Sequence, residues 1–364
     1  MMGNTKAKVA IALSGGVDSS VAAALLKEEG FEVVGITMEI FDGSIVVQEA
    51  QNHACYGPGE KEDVEAAASI CKKLAIPFFV IDLKKEYRGH VIDYFKKEYL
   101  AGRTPNPCVV CNKRLKFGFL AEKAKAAGAD FNFFATGHYA RVVRSEGRFL
   151  LKKAVDLSKD QTYFLYRLTP DQLSSILFPL GAYTKQQVRK IARSFGLETA
   201  HRPESQDFIA GGDYSTLFNK DEVEEGDIVD DQGNILGRHR GIIYYTVGQR
   251  RGLGIASHRR LYVMKIDTAN NRVVVGGRES IFSEGLIATD LNFIAVERLR
   301  RPYKVKAKIR FRHQEVDATV SPLNNDKMKI LFSRPQMSVA PGQSAVLYLD
   351  DSVFGGGVIE QAIQ

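Results

Sequence analysis

The sequence predicts an α/β protein: a domain built on a parallel sheet, then a small central domain, then a C-terminal antiparallel β-barrel. Three observations carry this. Apolar strand-like runs alternate with helical spacing up to about residue 136, a pattern that calls for a parallel sheet covered on both faces. Between 150 and 197 the spacing is helical throughout. Beyond about residue 280 short apolar strands recur between turn signals, which fits a small barrel. The predicted boundaries are 1–205, 206–278 and 279–364, and 364 residues is a length that two or three domains fill.

The elements follow in order. Residues 9–13 form a first strand and 19–29 a helix, and 31–38 form a second apolar strand. Residues 61–74 have helical spacing with acids early and lysines late, which complements the helix dipole. A third strand at 78–82 precedes a helix at 87–100; a helix at 114–127 ends on Gly128, and a fourth strand covers 131–136. Helices are predicted at 161–168, 170–177 and 184–195. Residues 226–263 read as short strands separated by glycine turns, and the barrel strands are placed at 286–293, 303–310, 317–321, 328–332, 344–349 and 355–360.

Composition narrows the class. An apolar fraction of 45% supports a sizeable core, and a net charge of +7 fits a polyanionic partner without requiring one. No run of eighteen apolar residues occurs and no apolar segment opens the chain, so a cytoplasmic protein with no membrane partner is expected. Cys55, Cys71, Cys108 and Cys111 in such a chain speak for metal or redox chemistry rather than structural disulfides.

The run Leu13-Ser14-Gly15-Gly16-Val17-Asp18-Ser19-Ser20 lies between the first strand and the first helix. Its glycines let backbone approach a ligand, and its hydroxyls and the helix start can bond an anion. No Gly-Lys-Ser/Thr follows, so it is a phosphate cradle of a type other than Walker. Asp18 has two readings, a carboxylate that helps place Mg²⁺ or one that satisfies N–H groups at the helix start. Ligands on such sheets sit at the carboxyl ends of the strands, where Thr136, Gly137 and His138 would also lie.

The second signal is Thr104-Pro105-Asn106-Pro107-Cys108-Val109-Val110-Cys111, read as a proline-fixed irregular loop carrying two thiols at i and i+3. Cys-x-x-Cys serves redox, zinc or iron–sulfur sites. Cys55 lies in a polar loop after the second strand, and loops after parallel strands converge on one face, so Cys55, Cys108 and Cys111 are expected to meet. Three thiolates are one short of the usual four. With zinc a position stays open for water, and in a [4Fe–4S] cluster one iron stays open for a ligand such as hydrosulfide. Cys71 sits within the helix at 61–74 and reads as a small buried apolar residue.

The glycine turn resembles the PP-loop of the ATP pyrophosphatases, which split ATP between the α- and β-phosphates and leave an adenylate on the substrate. Over nearly its whole length the chain resembles the tRNA-specific 2-thiouridylases, which replace O2 of the wobble uridine with sulfur. The resemblance rests on the runs 14–20, 104–112, 135–141, 159–165, 204–206 and 245–255. It implies a PP-loop (adenine nucleotide hydrolase-like) domain, a small central domain and a C-terminal barrel. It implies that Ala12, Leu13, Ser14, Gly15, Gly16, Val17, Asp18 and Ser19 bind ATP, with Met38 against the adenine and Gly137 lining the same pocket. It implies that Asn106, Pro107 and Cys108 meet the target base and that Cys111 is catalytic. His138, Lys159, Asp160, Gln161, Arg310, Phe311 and Gln343 match tRNA-contacting positions. The implied partners are ATP with Mg²⁺, the anticodon arm of a tRNA, and a sulfur donor that is sulfide or a sulfur-carrier protein.

Two departures matter. Many family members carry Asp where this chain has Cys108, and the same members carry a second catalytic cysteine shortly after the Glu-Ser-Gln run. Here Glu204-Ser205-Gln206-Asp207-Phe208-Ile209-Ala210-Gly211 contains none. The expectation is therefore an exchange of sulfur chemistry: a [4Fe–4S] cluster on Cys55, Cys108 and Cys111 delivers sulfur, with Cys108 and Cys111 catalytic. A persulfide on Cys108 or Cys111 is the competing route. Arg250, Arg251, Arg259 and Arg260, and the cluster Arg298, Arg300 and Arg301, are candidate phosphate contacts or solvated charge. Two rival functions remain: a PP-loop synthetase that adenylates a small molecule, and a tRNA-binding protein without catalysis.

Overall fold

The computed structural model describes residues 7–45, 54–202 and 207–364. The chain divides into two compact units: Met1–Val91 with Cys108–Asp213 and Asp351–Val353, and Ile92–Pro107 with Tyr214–Asp350 and Phe354–Gln364.

The first unit holds a five-stranded sheet made of β1 (Lys8–Ala12), β2 (Glu32–Glu39), β3 (Phe78–Asp82), β4 (Phe133–Thr136) and β5 (Ile176–Leu177). Every pairing is parallel and the order is β3-β2-β1-β4-β5. The central strand β1 registers Ala12 against Ile36 on one side and Thr136 on the other, so the turns after β1 and β4 leave the same edge. Helix α1 (Val17–Glu28) buries nine of its twelve residues, which is why its sequence is apolar on nearly every side. Helix α2 (Glu60–Leu74) instead shows one apolar stripe, Ala67, Ile70, Cys71 and Leu74, laid against the sheet. Helix α3 (Lys185–Ser194) starts at a capping box made by Thr184 and Gln187 and packs Val188 and Ala192 into the same core.

The second unit holds a closed six-stranded antiparallel barrel and a smaller four-stranded sheet. The barrel strands begin at Phe282–Phe293 and end at Ser352–Ile363, and these two close it by pairing Leu286 with Ala362. Its core is filled by Leu286, Val305, Ile330, Leu347 and Phe354, all at most 5% exposed. The smaller sheet packs Ile228, Val263, Val273 and Val275 with Tyr245 and Leu253. The fold class expected from sequence is the one observed.

Several local expectations are corrected. The segment 170–177 is not one helix: Pro170–Leu173 is helical and Ile176–Leu177 is the edge strand β5, because a capping box at Thr169 and Gln172 makes only a single turn. A hairpin, Ala140–Ser145 with Arg148–Lys153, fills a stretch given no element from sequence. Cys108 and Cys111 are not in a loop. Helix begins at Pro107, whose fixed φ suits a first helical turn, and continues through a π-helix at Cys111–Leu120. The run Glu204–Ser205–Gln206 and the predicted boundary at 205 lie outside the described residues. No helix among the described residues is long and apolar enough to cross a membrane.

Cys71 behaves as the buried apolar residue expected. It is 1% exposed, burial pushes its thiol up to about 12, and a Cβ placed on Gly35 of β2 would overlap its sulfur. Gly35→Ala should therefore destabilise the protein by about 1–3 kcal/mol through overpacking. Urea unfolding checks this, and the pair Gly35→Ala/Cys71→Ala should recover part of the loss.

Candidate active site

The glycine turn is fixed from behind by backbone and side-chain bonds. Leu13 N–H donates to Ile36 O at 2.8 Å, and the Thr37 hydroxyl donates to Leu13 O at 2.9 Å. Gly15 takes φ +69°, a conformation that favours glycine. Arg202 donates one guanidinium nitrogen to both Gly15 O and Asp63 Oδ1 at 2.9 Å. The hydroxyls of Ser19 and Ser20 both donate to Gly16 O, and Ser14 N–H donates to Ser19 Oγ at 3.2 Å. The hydroxyl side chains expected to meet phosphate are thus partly engaged in shaping the loop itself. Ser14 is exposed on it, while Ala12, Gly16 and Asp18 are half-buried and Leu13, Gly15, Val17 and Ser19 are buried.

Asp18 is held by partners that neither reading made from sequence included. Both its oxygens accept from Lys185 Nζ, at 2.9 and 2.8 Å, and Oδ1 also accepts from Tyr139 O–H at 2.9 Å. Gly137, expected to line the nucleotide pocket, is where the turn after β4 meets α1. A Cβ there would stand 2.7 Å from Ser19 N and 2.8 Å from the Asp18 carbonyl carbon. Met38 is half-buried at the carboxyl end of β2, next to the turn's anchor at Thr37.

The cysteine helix brings a second set of groups to this unit. In a π-helix residues i and i+5 lie about one turn apart, whereas in an α-helix at 3.6 residues per turn they point well away from each other. The burial of Cys111–Leu120 follows the π period: Asn112 and Phe117 are buried, and so are Leu115 and Leu120. The same period puts Cys111 and Lys116 on one face. Their electrostatics agree. Burial pushes the Cys111 thiol up to about 11, and Lys116 pulls it back down. Lys116 is itself held above the ordinary lysine range: burial works against its charge, but Cys111, Cys55 and Cys108 outweigh it.

His138 links the two sets. It directly follows Gly137, its Nδ1 lies 2.7 Å from Thr136 Oγ1, and its ring packs between Phe117 and Phe178. Burial and the nearby Lys116 cation hold it well below the ordinary histidine range, so it is neutral at neutral pH. Tyr87, raised by burial and then by Cys111, Cys55 and Cys108, stacks on Tyr56 behind them.

Cys55, Cys108 and Cys111 therefore act on one lysine and one tyrosine. They are not gathered as ligands: among the described residues no three Cys, His, Asp or Glu side chains come together where an ion could sit. As placed, the donor set does not fit the expected cluster. Cys55 belongs to a short strand, Ala54–Tyr56, that pairs in parallel with Asp207–Ile209. Its neighbours Tyr56 and Ile209 are buried while the Cys55 side chain is exposed.

The expected tRNA contacts divide. Asp160 is 7% exposed and accepts from Ala154 N–H and Thr162 O–H, and Gln161 Oε1 accepts from Tyr139 N–H, so both hold the fold. Gln343 donates to Pro105 O at 3.0 Å, and Asn106 is buried at 8% exposure within the same unit. Lys159 is half-buried in a segment that exposes Leu157. Phe311 is exposed beside Arg310, with Lys308 Nζ 5.4 Å from its ring centre. Lys116, Tyr139, Lys185 and Arg202 were not identified from sequence. A lysine five residues after Cys111 was the one available signal, and it has meaning only in a π-helix.

Taken with this geometry, comparison with known proteins defines the class. Residues 7–210 match the model of the tRNA methyl transferase HUP domain, 215–277 that of the tRNA methyl transferase PRC-barrel domain, and 283–359 that of the aminomethyltransferase beta-barrel domain. The chain is 47% identical to the tRNA-specific 2-thiouridylase MnmA of Acetivibrio thermocellus, over 98% of this chain and all of that one. It is 45% identical to the protein of the same name from Clostridium perfringens, over 99% of this chain and all of that one. The chain belongs to the tRNA-specific 2-thiouridylase family.

Gly137→Ala tests the meeting of the two turns. Overpacking there costs about 1–3 kcal/mol, and borne by the loop it should weaken nucleotide binding by about five- to hundredfold. Calorimetric titration with ATP reads this directly, with thermal unfolding as the control for the fold.

Proposed function

We propose that the protein is an ATP-dependent tRNA-uridine 2-sulfurtransferase that thiolates the wobble uridine, with the three-part division at about residues 205 and 278. The observation that supports it most is the continuous line from the phosphate loop, through Gly137 and His138, to Lys116 and Cys111 within one compact unit. An ATP site and a thiol site that share a wall suit a reaction that activates an oxygen and then replaces it with sulfur.

The chemistry runs in two steps. Uridine O2 attacks the α-phosphorus of ATP, forming an adenylate and releasing pyrophosphate. The loop's amides and the start of α1 stabilise phosphate charge, and Mg²⁺ accompanies the phosphates. A sulfur nucleophile then attacks C2 and expels AMP. Cys111 sits where Lys116 offsets the cost of a buried thiolate. Neutral His138 adds no second positive charge to that wall. The exposed Phe311 with Arg310 and Lys308, and the segment carrying Lys159, present aromatic and cationic groups of the kind that hold an unpaired anticodon loop.

Sulfur delivery has two readings. A [4Fe–4S] cluster on Cys55, Cys108 and Cys111 needs the thiols to close together from where they stand. A persulfide on Cys108 or Cys111 needs only these two thiols to meet, and it is the reading we favour because the three thiols are not gathered among the described residues. In that route a persulfide-bearing sulfur carrier passes its outer sulfur to the cysteine thiolate and leaves as a thiol. That sulfur attacks C2 and expels AMP, the partner thiol then displaces it from the cysteine, and the resulting disulfide is reduced by an external thiol.

Full-length protein with tRNA, ATP and Mg²⁺, prepared without oxygen and given either sulfide or a persulfide-bearing sulfur carrier, separates the alternatives: the cluster route can use sulfide, and the persulfide route needs the carrier. Nucleoside mass spectrometry should find 2-thiouridine and stoichiometric pyrophosphate. Cys111→Ser should abolish thiolation while leaving ATP bound. Pyrophosphate release that ignores tRNA would point to a small-molecule synthetase, and no release at all to a binding protein. Iron in the protein together with loss of thiolation in Cys55→Ala supports the cluster. One added sulfur on Cys108 or Cys111 with no iron supports the persulfide. For the RNA surface, Lys159→Ala should weaken tRNA binding and lower the slope of log affinity against log salt by about 1.

A further inference from the structure

We propose that Lys185 is a positioning residue of the phosphate loop: it neutralises Asp18 in the loop's own wall, so that a triphosphate meets backbone donors and not a bare carboxylate. The inference rests on reading the loop as the ATP site. Asp18 is the second residue of α1, in the turn a phosphate would approach. A carboxylate there is an electrostatic obstacle, because like charges a few ångströms apart repel by well over a tenfold change in affinity at the effective dielectric of about 20 near a protein surface.

The structure answers that charge from a different element. Lys185 Nζ bonds both Asp18 oxygens, and its side chain is only 10% exposed against 29% for Asp18. Lys185 is the first residue of α3, so its position is set by the Thr184–Gln187 capping box and by its own N–H donating to Asp156 Oδ2 at 3.0 Å. Tyr139 completes the arrangement: its hydroxyl donates to Asp18, its ring lies 5.8 Å from Lys185 Nζ, and Gln161 fixes its backbone. The buried lysine and the loop's acid thus form a pair with no net charge. Its remaining tasks are to hold the first turn of α1 in place and to tie α3 to it.

Calorimetric titration of the full-length protein with ATP and Mg²⁺ tests this through four variants, with pyrophosphate release measured alongside. Lys185→Met should weaken ATP binding about tenfold or more, Asp18→Asn should bind at least as tightly as the parent, and Lys185→Arg should stay near it. The double variant Asp18→Asn/Lys185→Met should regain near-parental affinity, a rescue that a merely structural lysine would not give. Should Lys185→Met fail to fold by thermal unfolding, the double variant is compared with Asp18→Asn alone, where a tenfold loss overturns the proposal. A double variant as weak as Lys185→Met also overturns it, as does loss of Mg²⁺-dependent binding in Asp18→Asn, which would make Asp18 a metal ligand. If the parent protein binds no ATP, the functional reading itself falls. If the parent binds and the rescue fails, only this proposal falls.

Discussion

The phosphate loop can serve a ligand only if its polar groups are answered from behind, and the ion pair between Asp18 and Lys185 is the heaviest of those answers. An empty cradle must leave N–H donors facing outward while every carbonyl and charge on its far side is satisfied. Here the far side is built from distant parts of the chain. β2 supplies Ile36 and Thr37 for Leu13, Arg202 takes the Gly15 carbonyl, and Ser19 and Ser20 take Gly16 O. Asp18 is paired with Lys185 and accepts a hydrogen bond from the Tyr139 hydroxyl. The loop is therefore a rigid surface without excess negative charge, which is what preorganised stabilisation of phosphate requires.

The cysteine helix solves a related problem with a different device. A thiol on a buried face is hard to ionise, and an α-helix would put the residue five positions on around the cylinder from it. The π-helix brings Lys116 beneath Cys111 and still keeps Asn112, Leu115, Phe117 and Leu120 inside. Its less regular hydrogen bonding is offset by that apolar burial. Lys116 pulls both neighbours the same way: it offsets part of the burial that raises the Cys111 thiol to about 11, and it adds to the burial that keeps His138 uncharged.

What the sequence made legible follows from the range of each signal. Strands β1 to β4 and helices α1 to α3 were readable because their apolar spacing is local and strong. The two-residue strand β5 was not, since Ile176 and Leu177 become strand only by pairing with Phe134 and Ala135. The glycine turn was readable as a phosphate cradle from its residue types alone. Its supports were not, because Lys185 and Arg202 lie 167 and 187 positions from their partners and carry no local mark of the role. Asp160 and Gln161 were singled out only through the family resemblance, and their bonds to Ala154, Thr162 and Tyr139 carry no mark in the sequence. The helical start at Pro107 was hidden by the prolines around it, which read as loop.

Cys55 is placed by a pairing between distant segments. The strand Asp207–Ile209 pairs in parallel with Ala54–Tyr56, so Cys55 stands beside the segment that follows residues 204–206. Ile209 and Tyr56 are buried on one side of that pair; Phe208 is buried on the other, where the Cys55 side chain is exposed. Ionised, Cys55 would oppose a second negative charge at Cys111 or Tyr87 and favour the cation of Lys116. The exposed thiol of Cys55 and the half-buried thiol of Cys111 thus stand on different elements of one unit and share the field of Lys116.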